Sequence, residues 1–105
     1  MMYKIRIDIP EERIADFCEK WQIQEFAFFG SVLSDDFKPN SDLDVLVTFH
    51  ENAKPTLFDV VRMENELIEL FGREVDLVSR RGLEFSRNYL RRNAILSSAE
   101  TVYAA

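Results

Sequence analysis

The stretch Phe28-Phe29-Gly30-Ser31, followed after ten residues by Asp42-Leu43-Asp44-Val45-Leu46-Val47, decides how the whole chain is read. The second segment has the apolar, β-branched run of a buried strand, opened by two carboxylates two positions apart. In extended backbone such residues share one face, so Asp42 and Asp44 stand side by side and repel. Ordinary packing gives no reason for that arrangement, whereas a divalent cation does. Magnesium takes carboxylate oxygens in octahedral geometry and completes its shell with water and substrate phosphates. A third carboxylate, Asp76, sits in a second short apolar run, Glu74-Val75-Asp76-Leu77-Val78. Brought together, the three would hold two ions about 4 Å apart, an arrangement that supports in-line phosphoryl or nucleotidyl transfer. Gly30 lets backbone come close to a phosphate, and Ser31 offers a hydroxyl and an amide as donors.

Outward from these segments the pattern is mixed. Tyr3, Ile5, Ile7 and Ile9 alternate with Lys4, Arg6 and Asp8, which predicts a half-buried strand. Pro10 suits a helix start, with Glu11 and Glu12 complementing its positive end. Ile14, Phe17, Cys18 and Trp21 then recur at helical spacing as a buried stripe. Glu25 to Phe29 is a short strand ending at the Gly-Ser turn, Ser34 to Ser41 a surface loop, and Asp42 to Phe49 the central strand. From Thr56 to Phe71, Leu57, Val60, Val61, Leu67, Ile68 and Phe71 mark an amphipathic helix, and Gly72 stands where its C-terminus wants glycine. Glu74 to Val78 is the strand bearing Asp76, and the remainder is expected to be helical from about Leu83, in one or two pieces. The fold class is α/β (α+β): a mixed sheet flanked by helices.

A chain of 105 residues is expected to form one domain, 1–105, with no room for a separate substrate-binding domain. That size argues against template-directed polymerases and other enzymes that add a second domain to a catalytic core. No apolar run approaches a membrane span, the start is not a signal peptide, and one cysteine makes no internal disulfide. A cytoplasmic protein is expected. Residues 1–79 carry a net charge of −9 and residues 80–105 carry +3. An acidic body discourages direct nucleic-acid binding, whose affinity comes largely from Lys and Arg.

These residues together resemble the minimal nucleotidyltransferases (MNT) of the polymerase-beta superfamily. The resemblance rests on Phe28-Phe29-Gly30-Ser31, on Pro39-Asn40-Ser41-Asp42-Leu43-Asp44-Val45-Leu46-Val47, and on Glu74-Val75-Asp76-Leu77-Val78. The closing stretch, in which a basic segment leads into a short helix finishing near Tyr103, adds to it. The resemblance implies that Asp42 and Asp44 bind both metals, Mg²⁺ or alternatively Mn²⁺. It further implies that Asp76 shares the ion activating the attacking hydroxyl, that Gly30 and Ser31 hold the terminal phosphates of ATP, and that the strands of Asp44 and Asp76 are neighbours. Such proteins are often paired, as antitoxins, with a HEPN-domain ribonuclease toxin and place AMP on one of its tyrosines. A hetero-oligomer with such a partner is therefore implied. One stretch departs from the family: where members carry small-Arg-Gly, this chain has Val32-Leu33-Ser34-Asp35-Asp36.

A second reading keeps the fold and partner but drops the chemistry, leaving a binding module that neutralises the toxin by docking alone. An EF-hand spanning Asp35 to Asp44 fails for want of the central Gly and closing Glu. Cys18 is expected in the core, His50 takes no role, and Tyr3, Tyr89 and Tyr103 are packing residues unless Tyr103 is exposed enough to accept a nucleotide.

Overall fold

The computed structural model describes residues 7–34 and 37–105. Helix α1 (Glu11–Trp21) begins behind Pro10 with two glutamates in its first turn. It ends at Gln22, whose left-handed backbone (φ 57°) lets its N–H reach the carbonyls of Cys18 and Glu19. The chain then runs through β1 (Ile23–Phe29), a 3₁₀ turn (Gly30–Leu33) and β2 (Leu43–Phe49). Helix α2 (Leu57–Phe71) crosses over to β3 (Val75–Ser79). Two short helices, α3 (Arg80–Glu84) and α4 (Tyr89–Ser98), lead into β4 (Glu100–Ala104).

The four strands form one sheet in the order β3-β2-β1-β4. β1 pairs antiparallel with β2 and β4, while β2 and β3 run parallel, joined through α2. Both inner strands are covered on both faces, which is why β1 and β2 read as near-continuous apolar runs. On one face Phe26, Phe28, Leu43, Val45 and Val47 pack with Ile14, Phe17 and Cys18 of α1 and Met63 and Leu67 of α2. Edge-to-face rings link Phe17 to Phe26, Phe26 to Phe28, and Phe28 to Phe71, with centroids 6.1, 5.4 and 5.7 Å apart. The opposite face carries a smaller cluster of Ala27, Phe29, Leu46, Leu83 and Ile95, covered by α3 and α4.

Helix α2 has both end signals. Thr56 and Asp59 form a reciprocal capping box, Thr56 N to Asp59 Oδ2 at 2.9 Å and Asp59 N to Thr56 Oγ1 at 3.1 Å. Gly72 closes the other end at φ 69°.

Four expectations need correction. The strand from Tyr3 to Ile9 lies mostly outside the described residues, and Ile7 to Ile9 are not strand, although Ile7 and Ile9 do pack against the core. The central strand begins at Leu43, so Asp42 stands just before it. Leu57 and Val61 point to solvent, 81% and 49% exposed, while Leu67 is buried and Val60, Ile68 and Phe71 pack on the core as expected, joined by Met63, which the pattern did not mark. Residues after Arg80 are helical from Arg80 itself, but they finish in β4, which adds to the free edge of β1 through Phe26↔Tyr103 and Glu25↔Ala104. Tertiary pairing overrides local pattern at that edge.

The corrected face of α2 gives a direct check. Leu67→Ala should cost about 2–5 kcal/mol, because it opens a cavity against β2. Leu57→Ala should stay within about 0.5 kcal/mol, as an exposed site does. Urea unfolding of the two variants measures both, and equal losses would contradict this packing.

Candidate functional site

Strand direction gathers the site. β2 and β3 are parallel, so both begin at the same end of the sheet, and antiparallel β1 finishes there. The ladder opens with Leu43 N donating to Glu74 O at 2.9 Å. Its register sets Phe29 opposite Asp44 and Asp44 opposite Asp76. Residues paired across a sheet share a face, and neighbouring strands lie about 4.8 Å apart. Asp44 and Asp76 are therefore direct neighbours, on the face of the smaller cluster. Asp42, two positions before Asp44, is exposed just ahead of the strand, Asp76 is exposed, and Asp44 is half-buried.

Gly30 touches the same carboxylate. Its φ of 77° lies in the left-handed region, and a Cβ placed there would run into the Oδ2 and Cγ of Asp44. The turn thus rests directly on Asp44, as only glycine permits. Ser31 follows at the start of the 3₁₀ turn, half-buried. Its carbonyl accepts from Ser34 N at 2.9 Å and from Ser34 Oγ at 3.0 Å, so Ser34 is tied back into the turn. Asp35 and Asp36 lie outside the described residues.

Burial raises the pKa of Asp44 above the ordinary 3.8, and the charges of Asp76 and then Asp42 push it the same way. Arg91 opposes them. Among the described residues no three His, Cys, Asp or Glu side chains already close around a point as a metal cage. The donors nonetheless suit a hard cation: Asp44 and Asp76 share one face, and Asp42 and Asp76 are exposed and able to turn about their side-chain torsions.

Arg73 is a contributor that sequence reading missed. Its Nη1 donates to the carbonyls of Lys38 (3.3 Å) and Ser41 (3.2 Å), and its guanidinium lies 4.5 Å from the Phe37 ring centroid. It clamps the loop that delivers Asp42. Arg80 donates from Nε to Thr48 Oγ1 at 3.0 Å, and Arg92 Nη1 reaches the carbonyls of Glu84 (3.3 Å) and Ser86 (3.4 Å). A cleft of about 770 Å³, lined in part by His50, Lys54, Arg80 and Phe85, lies at the other end of β2 and β3, away from the carboxylates. Cys18 is buried, and burial pushes its thiol up to about 12, which keeps it protonated. Tyr103 is half-buried against the core, consistent with packing. Among the described residues no helix is long and apolar enough to cross a membrane.

The pattern of the family described as "Nucleotidyltransferase domain" matches residues 11–100. Protein adenylyltransferase MntA of Thermococcus cleftensis is 36% identical over 66 residues, 63% of this chain and 65% of that protein. The chain thus spans a little under two thirds of that relative. A solved structure assigned as a minimal nucleotidyltransferase is 34% identical, covers 86% of both chains and superposes with a TM-score of 0.66. The fold also matches a chain of the solved complex of a tri-AMPylated Shewanella oneidensis HEPN toxin with MNT antitoxin. There the TM-score is 0.62 at 18% identity, over 90% of this chain and 70% of that one.

The electrostatics of Asp44 set a sign. A carboxyl whose folded pKa is raised binds more protons folded than unfolded, so it lowers stability at neutral pH and the penalty fades as pH falls through its folded pKa. Asp44→Asn should therefore melt a few degrees higher than the natural chain at pH 7, with the gap gone below about pH 3.8. Gly30→Ala should instead lose about 1–3 kcal/mol, from left-handed backbone and contact with Asp44. Thermal melts across pH measure both; a gap in Asp44→Asn that widens on acidification would reverse the assignment.

Proposed function

Because the chain belongs to the nucleotidyltransferase domain family, we propose that it transfers AMP from ATP to a protein hydroxyl, a tyrosine of a HEPN ribonuclease toxin, and so acts as that toxin's antitoxin. The observation that carries the reading is the register that sets Asp44 beside Asp76 and against the Gly30 turn. The AMPylated HEPN toxin in the matching complex supports the acceptor and the partner.

In this reaction the acceptor oxygen bonds to the α-phosphorus of ATP. The bond from that phosphorus to the bridging oxygen of the β-phosphate breaks, and the hydroxyl proton is released. The products are an AMP ester and pyrophosphate. Asp42, Asp44 and Asp76 are the residues that would hold two Mg²⁺ or Mn²⁺, ions that neutralise the triphosphate and lower the acceptor's pKa. Gly30, having no Cβ, lets the turn close onto Asp44, and Ser31 would supply donors to the phosphates. Arg73 fixes the loop before Asp42, which limits how far that carboxylate strays from Asp44. The attached phosphate ester adds bulk and negative charge beside the toxin's active site, which opposes RNA entry.

The acceptor must come from a partner. Leu57, Phe58, Val61, Phe85, Tyr89 and Leu90 are large apolar side chains left exposed, surface that suits a protein interface. The protein would act in the cytoplasm as a minimal single domain. Docking without transfer is the second reading, and the acidic stretch after Ser34 favours it, since two carboxylates there oppose a triphosphate.

Labelled ATP, magnesium and a purified HEPN partner separate the readings. The natural chain should label the toxin, and ATP with magnesium should raise its melting temperature by mass action. Asp76→Asn should keep most of that ligand-induced rise yet reduce labelling to background, whereas Asp42→Asn or Asp44→Asn should lose both. Toxin neutralised with no label incorporated would establish docking alone; full labelling by Asp76→Asn would remove its assigned role.

A further inference from the structure

The cleft at the far end of β2 and β3 takes no part in the transfer chemistry, yet both of its walls are firmly built. It holds about 770 Å³, a size typical of binding sites. One wall is α3, pinned by Leu83, which is 2% exposed in the smaller cluster. Gly82 N donates to Ser79 Oγ at 3.0 Å at the start of this helix, and Phe85 N donates to Arg81 O at 3.2 Å at its end. The other wall is the turn after β2, where His50 N donates to Gln22 O at 2.9 Å and Ala53 N to His50 O at 3.0 Å. Backbone bonds thus fix the segments from which Lys54, Arg81 and Phe85 line the opening.

The lining joins two chemistries. Phe49 and Val60, packed on the larger core, give the cleft apolar surface, and Phe85 adds an aromatic ring 78% exposed. Lys54, Arg80 and Arg81 set three cations against the carboxylates of Glu51 and Glu84. The surplus is positive, on a chain whose net charge is −6. Arg80 is held through Nε by Thr48 Oγ1 at 3.0 Å. The side chains of Lys54 and Arg81 have no hydrogen bond or ion pair among the described residues. Open aromatic surface beside uncommitted cations matches an apolar side chain flanked by anions.

We propose that this cleft is a docking site for a segment of the acceptor protein that carries carboxylates beside a large apolar side chain. Its distance from the chemistry suits that role. Thr48 stands four residues beyond Asp44 in β2, about 13 Å at the rise of a strand. A segment anchored there holds the acceptor protein and leaves the aspartates free for nucleotide and hydroxyl. The inference rests on the reading that a partner protein supplies the acceptor, and it adds where that protein is held and by what chemistry. Single-stranded RNA also combines anions with planar apolar groups, but the acidic body and the two glutamates of the lining oppose it.

Titration with the purified HEPN partner, with ATP and magnesium, and with an RNA oligonucleotide tests the proposal. Lys54→Glu combined with Arg81→Glu should weaken partner affinity on the order of tenfold, and Phe85→Ala by about as much. ATP affinity and melting temperature should match the natural chain, because all three side chains are exposed and distant from the aspartates. Added salt should weaken the natural complex and leave that of the charge-reversed chain nearly unchanged. In labelling assays the KM for the partner should rise while the rate at saturating partner holds. Unchanged partner affinity in both variants would overturn the proposal, as would a loss of affinity that came with a lower melting temperature. RNA bound by the natural chain and lost on charge reversal, with partner affinity intact, would make the cleft a nucleic-acid site instead. A natural chain that binds the partner but labels nothing would end the transfer reading, with the partner affinities still deciding the cleft. A natural chain that binds no partner would end both.

Discussion

Repulsion between Asp44 and Asp76 is the constraint on which the rest of the structure depends. Parallel pairing of β2 with β3 sets these residues opposite each other, and a slip by one residue would relieve the clash of charge. It would also turn Leu43, Val45 and Val47 out of the larger core and Leu46 out of the smaller one. Each of these side chains is at most 2% exposed, and burying one is worth roughly 1.5–3 kcal/mol. Apolar burial on both faces therefore outweighs the charge penalty and locks the carboxylates together. The fold holds a standing attraction for cations at one end of the sheet.

The neighbouring parts are placed by backbone as much as by side chain. Gly30 sits against Asp44 because the register of β1 with β2 brings Phe29 opposite it. Asp42 lies beyond the ladder, so strand pairing alone does not hold it. Arg73 compensates by bonding two carbonyls of the approach loop from the turn that leads into β3. The loop before one carboxylate and the strand bearing another are thus tied together at a single residue.

Much of this was legible in the sequence because it is written in short-range signals. The Gly-Ser turn, the Asp-x-Asp at the head of an apolar run, the glycine that ends α2 and the third Asp in a five-residue strand each declare themselves within a few residues. The missed features depend on contacts made at a distance. Thr101 to Tyr103 carries no hydrophobic period that separates strand from helix, and it is extended because β1 offers an open edge. Leu57 and Val61 match helical spacing as well as Met63 does, and only the angle at which α2 lies on the sheet tells them apart. Arg73 looks like an ordinary surface cation until the loop before Asp42 is in place.

The crossover from β2 through α2 to β3 also bears on how the molecule forms. Those elements follow one another directly and contain Asp44 and Asp76, with Asp42 at their threshold. β4, by contrast, must return across more than half the chain to reach β1. Loop closure grows costlier with the length enclosed, and pairings between distant segments come late. Folding can therefore set the charged pair in register within a local unit before the last edge of the sheet is sealed. The most electrostatically strained element is then an early condensate, held by its own apolar faces, and the β4 edge is the first place where hydrogen exchange would reveal opening.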